Sequence, residues 1–345
     1  MKLGLQLGYW GAAPPQNAEE LVWAAERYGF DAVFAAESWG SDAFTPLAWW
    51  GSGTERVRLG TSVAQLSARS PTSTAMHALT LDHLSGGRAV LGLGVSGPQV
   101  VEGWYGAPFG KPLARTREYV SILRQVLARQ KPVTGDGPHY PLPYEGAGAL
   151  GLGKSLRPIT HPLRADLPIW LGAEGPKNVA LAAEIADGWL AIYYAPRLSA
   201  TYESWLAEGF ARAGASGKRD DFEIAATCHV VVTDDPAAEY AKLKPAMALY
   251  LGGMGAPEMN FHAGVFTRMG YGTAVREIGR LFTAGDKQRA AAVVPDELVA
   301  EISIIGSSDQ VTSEVRRWEA AGVTELIVGC RDREQVRALA AAMPA

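Results

Sequence analysis

Polar and aromatic side chains stand near the ends of three runs that are typical of β-strands. Gln6 lies in the first run, Glu37, Ser38 and Trp39 follow the second, and Tyr193 lies in the sixth. The carboxyl ends of parallel barrel strands share one face, where barrel enzymes place their chemistry. A carboxylate can transfer protons, whereas the amide of Gln6 only forms hydrogen bonds near neutral pH. Glu37, Ser38 and Gln6 are therefore the catalytic candidates, and a structural carboxylate bonded to a neighbouring strand end is the alternative for Glu37.

Tryptophans near predicted strand exits are candidates for an apolar substrate wall. Trp10, Trp39 and Trp104 have this position, and Tyr193 is a further candidate. Most tryptophans pack in cores, but an aromatic ring beside a catalytic chamber also binds an organic substrate.

A glycine-rich stretch follows the fourth strand-like run. Gly92, Gly94 and Gly97 satisfy the spacing GxGxxG, but Arg117 stands where a dinucleotide-binding fold has an acidic residue. The small residues Gly94, Ser96 and Gly97 instead predict a loop whose backbone N–H groups approach a phosphate. A flexible barrel loop without a ligand is the alternative.

A second loop with the same potential precedes a predicted helix. It consists of Gly172, Ala173, Glu174, Gly175 and Pro176. The N–H groups at a helix N-terminus attract anions, although the Glu174 carboxylate can itself occupy that end. Four basic residues are candidates to neutralise an acidic ligand, and a solvated surface is the alternative for them: Lys111, Arg115, Arg117 and Lys177.

These positions require a regular scaffold, and the apolar pattern predicts one. Eight strand-like runs alternate with helical patterns, at 3–7, 30–36, 57–61, 88–93, 167–171, 188–194, 222–232 and 325–329, and a short run at 302–305 precedes another helix. This alternation predicts an α/β fold, a (β/α)8 TIM barrel. The 345 residues exceed the roughly 250 of a minimal barrel. We therefore expect a single barrel domain over 1–345 with insertions over its C-terminal face at about 130–166 and 252–300.

The segments LGTSVAQLSARSP, LSGGRAVLGLGVSGP and IWLGAEGPKNVALAAEIADGWL resemble the luciferase-like flavin and deazaflavin oxidoreductases, in particular the branch that uses coenzyme F420. The resemblance implies that Thr61, Ser62 and Val63 form a bulge behind the central ring of the deazaflavin, with a non-prolyl cis bond between Ser62 and Val63. It also implies that the loop from Ala173 to Pro176 lines the cofactor, and that the protein is a dimer or a larger homo-oligomer.

The sequence departs from these relatives at the proposed chamber. Some F420 enzymes have an acidic residue where this chain has Gln6, and an Asp-His pair where it has Glu37 and Ser38. The resemblance thus implies that the usual proton donor is missing or moved, with Glu37 as the nearest replacement.

Three functions remain open at this point. The first is an F420-dependent oxidoreductase that transfers a hydride between C5 of the deazaflavin and a small organic substrate. The second is an FMN-dependent monooxygenase of the same fold that needs a separate flavin reductase. The third is a flavin-binding protein without turnover, suggested by the missing acid-base residues.

Composition excludes several other classes. Lys plus Arg number 32 against 36 Asp plus Glu, with no basic run, which argues against nucleic-acid binding. No apolar stretch reaches membrane-spanning length. Cys228 and Cys330 lack metal-binding spacing. His77 and His83 lie on opposite faces of one predicted helix and the other four histidines are isolated in sequence, so no metal site is expected. Free thiols and the absence of a signal-like N-terminus favour a cytoplasmic protein.

Overall fold

Parallel pairing of β-strands builds the framework of the computed structural model, which describes residues 1–214, 219–255 and 259–343. The strands within these ranges are β1 (Lys2–Gly8), β2 (Ala32–Ala35), β3 (Arg58–Thr61), β4 (Ala64–Gln65), β5 (Ala89–Gly94), β6 (Ile169–Gly172), β7 (Gly188–Ala191), β8 (Glu223–Val232), β9 (Ser303–Gly306) and β10 (Glu325–Val328). Eight of them pair side by side in the order β1, β2, β3, β5, β6, β7, β8, β10. Strand β10 also pairs with β1, which closes the ring. The predicted eight-stranded parallel barrel is confirmed.

The two remaining strands extend the ring at its carboxyl ends. β4 follows β3 after two residues and pairs with the end of β5, with Ala64 opposite Leu93. β9 pairs with the second half of β8, with His229 opposite Ser303. Both additions raise the barrel wall on the face where the candidate residues lie.

Helices surround the barrel and cover its carboxyl face. They are α1 (Ala18–Arg27), α2 (Phe44–Gly51), α3 (Pro71–Ser85), α4 (Pro98–Gly103), α5 (Pro112–Ala128), α6 (Pro176–Ile185), α7 (Ser199–Ala213), α8 (Pro236–Gly252), α9 (Phe261–Phe266), α10 (Gly272–Thr283), α11 (Lys287–Ala292), α12 (Asp296–Glu301), α13 (Ser308–Ala320) and α14 (Arg333–Ala342). Capping fixes α3, because the Ser70 hydroxyl accepts from Ser73 N and left-handed Gly86 ends the helix.

Large aromatic side chains fill the inside of the barrel. Phe34 and Trp170 are fully buried there, with ring centroids 5.9 Å apart. A Cβ atom on Gly60 would lie 2.3 Å from the Phe34 ring, so only glycine leaves room for that ring at this position of β3. The interior is thus a packed core, and a ligand has space only at its ends.

Charged side chains close the amino end of the barrel. Arg58 Nη2 donates to Glu325 Oε2 at 2.6 Å, and Lys2 pairs with Glu223. Glu325 is fully buried, and burial raises its pKa to about 7, against the opposing effect of Arg58.

The two predicted insertions take different positions, and only the second lies over the carboxyl end. Residues 130–166 connect the end of α5 to the start of β6 and pack outside the barrel near its amino end, where Arg164 bonds Asp82 at the end of α3 and Ala89 O at the start of β5. The expectation that this segment covers the C-terminal face is wrong, because a helix-to-strand connection returns the chain to the amino ends of parallel strands. Residues 130–166 are irregular apart from an isolated bridge between Gly135 and Leu142. Helices α8 to α12 enclose a separate apolar cluster that includes Phe266 and Met269. Over the described residues, none of the helices has both the length and the apolar character needed to cross a membrane.

Candidate active site

The exits of β1 and β3 meet at the barrel mouth. Gln6 Nε2 lies 3.4 Å from the carbonyl oxygen of Ser62 and 3.5 Å from its Oγ. The peptide bond between Ser62 and Val63 is cis, as the resemblance implies. Gln6 Oε1 is buried and has no hydrogen-bond partner among the described residues. The mouth therefore offers a buried acceptor that a bound group with an N–H or O–H can satisfy.

Val63 forms a half-buried apolar surface at this mouth. A Cβ atom on Gly94 would lie 2.5 Å from a Val63 methyl group, and one on Gly172 would lie 3.3 Å from the other. Gly92 packs equally closely, since a Cβ there would lie 1.9 Å from the carbonyl oxygen of Thr61. Packing therefore explains the first two glycines of the GxGxxG stretch, Gly92 and Gly94. A larger side chain at either position would keep residues 61–63 from lying this close to β5.

Thr61 ties the same strands together. Its Oγ1 donates to Gly92 O at 2.6 Å and accepts from Gly92 N at 2.9 Å. Both groups are buried, so these bonds satisfy polar atoms that would otherwise be orphaned. Thr61 positions the segment that presents Ser62 and Val63.

Glu37 is buried below the rim and is already paired. Its Oε2 accepts from Arg69 Nη1 at 2.9 Å and from Gln65 N at 3.2 Å. Burial alone would lower the pKa of Arg69, but the hydrogen bond and the charge of Glu37 outweigh it and raise that pKa. These contacts fix β4 against the end of β2, which agrees with the structural alternative for this residue.

The aromatic candidates lie on the rim. Trp39 is 54% exposed and Trp104 is 62% exposed. The Trp10 ring lies 6.0 Å from that of Trp50, and Trp10 N donates to Ser41 Oγ. Ser38 is half-buried beside Glu37. Exposed apolar rings at a barrel mouth are available to a ligand or to a neighbouring molecule.

The two predicted anion loops both lead into helices. Ser96 has a positive φ of 59°, and Gly97 precedes Pro98 at the start of α4. Gly175 occupies the same place before α6 and has no side-chain cap. Glu174 does not cover that helix end, because its Oε1 lies 2.7 Å from His262 Nδ1 instead. The start of α6 remains open to an anion.

Two of the four basic candidates already bind other side chains of the protein. Arg115 donates to Ser67 Oγ and to the Tyr140 hydroxyl, and Arg117 forms two bonds with Glu184. Lys111 and Lys177 are exposed.

Residues from α8 and α9 complete the mouth, and sequence patterns did not single them out. The Tyr250 hydroxyl lies 3.4 Å from that of Tyr9, which joins the end of α8 to the exit of β1. The Tyr193 ring contacts Tyr250 and His262 edge to face. Burial raises the pKa of Tyr193 well above its usual range, and Tyr250 and Glu174 act in the same direction. Tyr193 is therefore a neutral hydroxyl at neutral pH.

Across residues 1–214, 219–255 and 259–343, no group of three or more His, Cys, Asp or Glu side chains is placed to hold a metal ion.

The sequence matches the family model of the luciferase-like monooxygenases over residues 4–325, so the chain belongs to that family. It is 67% identical over 341 residues to a Mycobacterium tuberculosis protein named as a candidate coenzyme F420-dependent oxidoreductase, covering 99% of this chain and 98% of the relative.

More distant relatives share the barrel. A 5,10-methylenetetrahydromethanopterin reductase of Archaeoglobus fulgidus is 33% identical over 277 residues, which cover 80% of this chain and 77% of that protein. The solved structure of the coenzyme F420-dependent tetrahydromethanopterin reductase of Methanopyrus kandleri superposes with a TM-score of 0.80 at 23% identity, covering 99% of this chain and 98% of that one.

Proposed function

We propose that this protein is a coenzyme F420-dependent oxidoreductase of the luciferase-like class, acting on a small organic substrate. The observation that carries the proposal is the 67% identity, over almost the whole of both chains, to the Mycobacterium tuberculosis protein named for this activity. When bound, coenzyme F420 supplies the carbon atom, C5 of the deazaflavin, that accepts or gives the hydride.

The residues at the mouth fit this cofactor. Val63 offers an apolar surface, and Gly94 and Gly172 pack against it from two sides. Gln6 Oε1 is a buried acceptor without a partner in the described parts of the chain, next to that surface. A planar ring system with polar edges requires this combination of an apolar support and edge contacts.

We assign the following roles to the chain. The segment Thr61, Ser62 and Val63 supports the ring, and Gln6 bonds its edge. The loops that contain Gly94, Ser96 and Gly97, and Gly172 to Pro176, bind the acidic tail through backbone N–H groups. Trp10, Trp39 and Tyr193 exclude water from the substrate.

The proton donor is a separate role. Glu37 and Ser38 are the candidates nearest the second strand exit, and the ion pair of Glu37 with Arg69 favours a positioning role for the carboxylate. Such a role fixes β4 beside Val63 and leaves proton exchange to solvent or to the substrate itself.

Titration with cofactors tests the proposal. Quenching of F420 fluorescence by the protein is expected to saturate, whereas FMN at the same concentrations is expected to show no saturable binding. Tight binding of FMN without binding of F420 would overturn the proposal in favour of an FMN-dependent monooxygenase.

We also propose that the protein acts in the cytoplasm as a homodimer or a larger homo-oligomer. Large apolar side chains that are more than half exposed support the oligomer: Leu150, Leu152, Leu156, Ile159 and Leu163. Such concentrations of exposed apolar surface mark interaction sites.

A further inference from the structure

A cavity of about 260 Å³ lies against the outside of the barrel wall, between β7, α7 and the turn after α9. Its lining is mainly aromatic and aliphatic, and includes Trp189, Tyr202, Trp205 and Val265. The inside of the barrel is a different compartment, filled by Phe34, Trp170 and their neighbours.

Side-chain alternation along β7 explains why the cavity exists. Trp189 packs in the hydrophobic core between the barrel and its surrounding helices, whereas Leu190 points into the barrel. Ala191 follows on the outer face, and its methyl group fills little of the space between the strand and α7. A small residue beside large rings leaves a gap walled by aromatic surface.

The largest ring of the lining beside β7 has its polar atom bonded to the backbone. Trp189 Nε1 donates to Ala173 O at 2.7 Å. This ring therefore presents mainly apolar surface to an occupant.

Arg268 gives the cavity a polar end. One nitrogen, Nη2, donates to Glu174 O at 2.7 Å, and within the described ranges the guanidinium has no further hydrogen-bond partner. A guanidinium carries five N–H donors, so several remain available to an acceptor. Glu174 also lines the cavity: its Oε1 lies 2.7 Å from His262 Nδ1, and its buried Oε2 has no hydrogen-bond partner among the described residues.

We propose that this cavity binds an aromatic or alicyclic molecule of about two-ring size that carries an acceptor oxygen, and that Arg268 binds this oxygen. An apolar cavity of roughly 150 Å³ holds benzene, so the larger volume here suits two fused rings. The cavity shares Ala173 and Glu174 with the loop assigned above to the cofactor. Because that loop is assigned to the acidic tail, the occupant is an organic molecule bound beside the tail of the cofactor, a step that rests on the proposed function.

Binding of 2-naphthoate tests the site without cofactor. Calorimetric titration of the full chain is expected to give a dissociation constant of roughly 10–100 μM, the range for a ligand of this size. Thr201→Trp places a large side chain in the cavity wall and is expected to weaken binding at least about tenfold. Ser204→Trp puts the same side chain on the same helix outside the lining, and should bind like the parent.

The polar contact is tested separately. Arg268→Gln is expected to weaken 2-naphthoate binding about tenfold, because a hydrogen bond to a charged group is lost. Arg276→Gln, an exposed arginine on α10, is the matched control and should bind like the parent. Binding of naphthalene methanol, which lacks the charge, should be less sensitive to Arg268→Gln.

The possible outcomes distinguish a failure of this site from a failure of the cofactor assignment. Saturable F420 binding without 2-naphthoate binding overturns the site and leaves the cofactor assignment in place. Equal affinity of Thr201→Trp and Ser204→Trp for 2-naphthoate also overturns it. Saturable 2-naphthoate binding that Arg268→Gln weakens supports the site, even where F420 fails to bind.

Discussion

Glu37 shows how much a single carboxylate depends on its partners. From sequence it was the nearest replacement for a missing acid, and in the fold it accepts from Arg69 and from the backbone of Gln65. Arg69 lies 32 positions away, and no sequence period links the two residues. Their pairing arises only when β2 and β4 are brought to neighbouring positions, so it was not predictable.

Removal of the Glu37 charge tests its positioning role. Glu37→Gln leaves the half-buried guanidinium of Arg69 without its counter-ion, so the free energy of unfolding is expected to fall by about 1–3 kcal/mol. Urea titration measures this. Glu314→Gln, in a pair with Arg317 on the surface of α13, is the control and should leave the unfolding midpoint unchanged. Equal midpoints for the two variants would contradict the role.

The burial of Glu325 predicts that the free energy of unfolding depends on pH. Its pKa in the fold is about 7, above its ordinary value of 4.5, so the folded state holds a proton that the unfolded state releases between these values. Stability from this group is therefore fully present below pH 4.5 and is lost as pH rises to 7, by about 3 kcal/mol. Glu325→Gln should remove this component from urea titrations run at pH 5 and pH 7.5. An unchanged difference between the two pH values would contradict it.

At the level of elements, the barrel strands were the predictable part. Buried parallel strands appear as short apolar runs, and each of the eight runs became a strand of the ring. Helix α2 was not predicted, because its segment FTPLAWWG is apolar on almost every side. Its first N–H groups are bonded by Asp42, which lies one position before the usual capping position. His262 and Tyr250 were missed for another reason, since only the packing of α8 and α9 brings them to the mouth.

The contact between β5 and Val63 yields a prediction at this scale. Gly94→Ala places a methyl group 2.5 Å from a Val63 methyl carbon, so Val63 must shift. F420 affinity is expected to fall about tenfold or more, as overpacking costs about 1–3 kcal/mol. Fluorescence titration measures the change. Gly103→Ala in α4, where a Cβ meets nothing within 4 Å, should bind like the parent, and similar affinities for both variants would contradict the support by Val63.

At the scale of the whole molecule, exposed apolar side chains at 150–163 predict self-association. Light scattering should give a mass of at least twice the 36.7 kDa of one chain. Combined replacement of Leu150, Leu152 and Ile159 by serine should lower that mass. Leu84→Ser, equally exposed but on α3, is the control and should keep it. A monomeric parent protein would contradict the oligomer.

The central claim is that the barrel mouth holds the ring of coenzyme F420 against Val63. A crystal structure of the protein with bound F420 tests it directly. We expect density for the ring in contact with Val63 and Gln6, and density for the acidic tail at the loop from Gly172 to Pro176. Density for the cofactor elsewhere on the chain, or a mouth closed by its own side chains with F420 present, would contradict the claim.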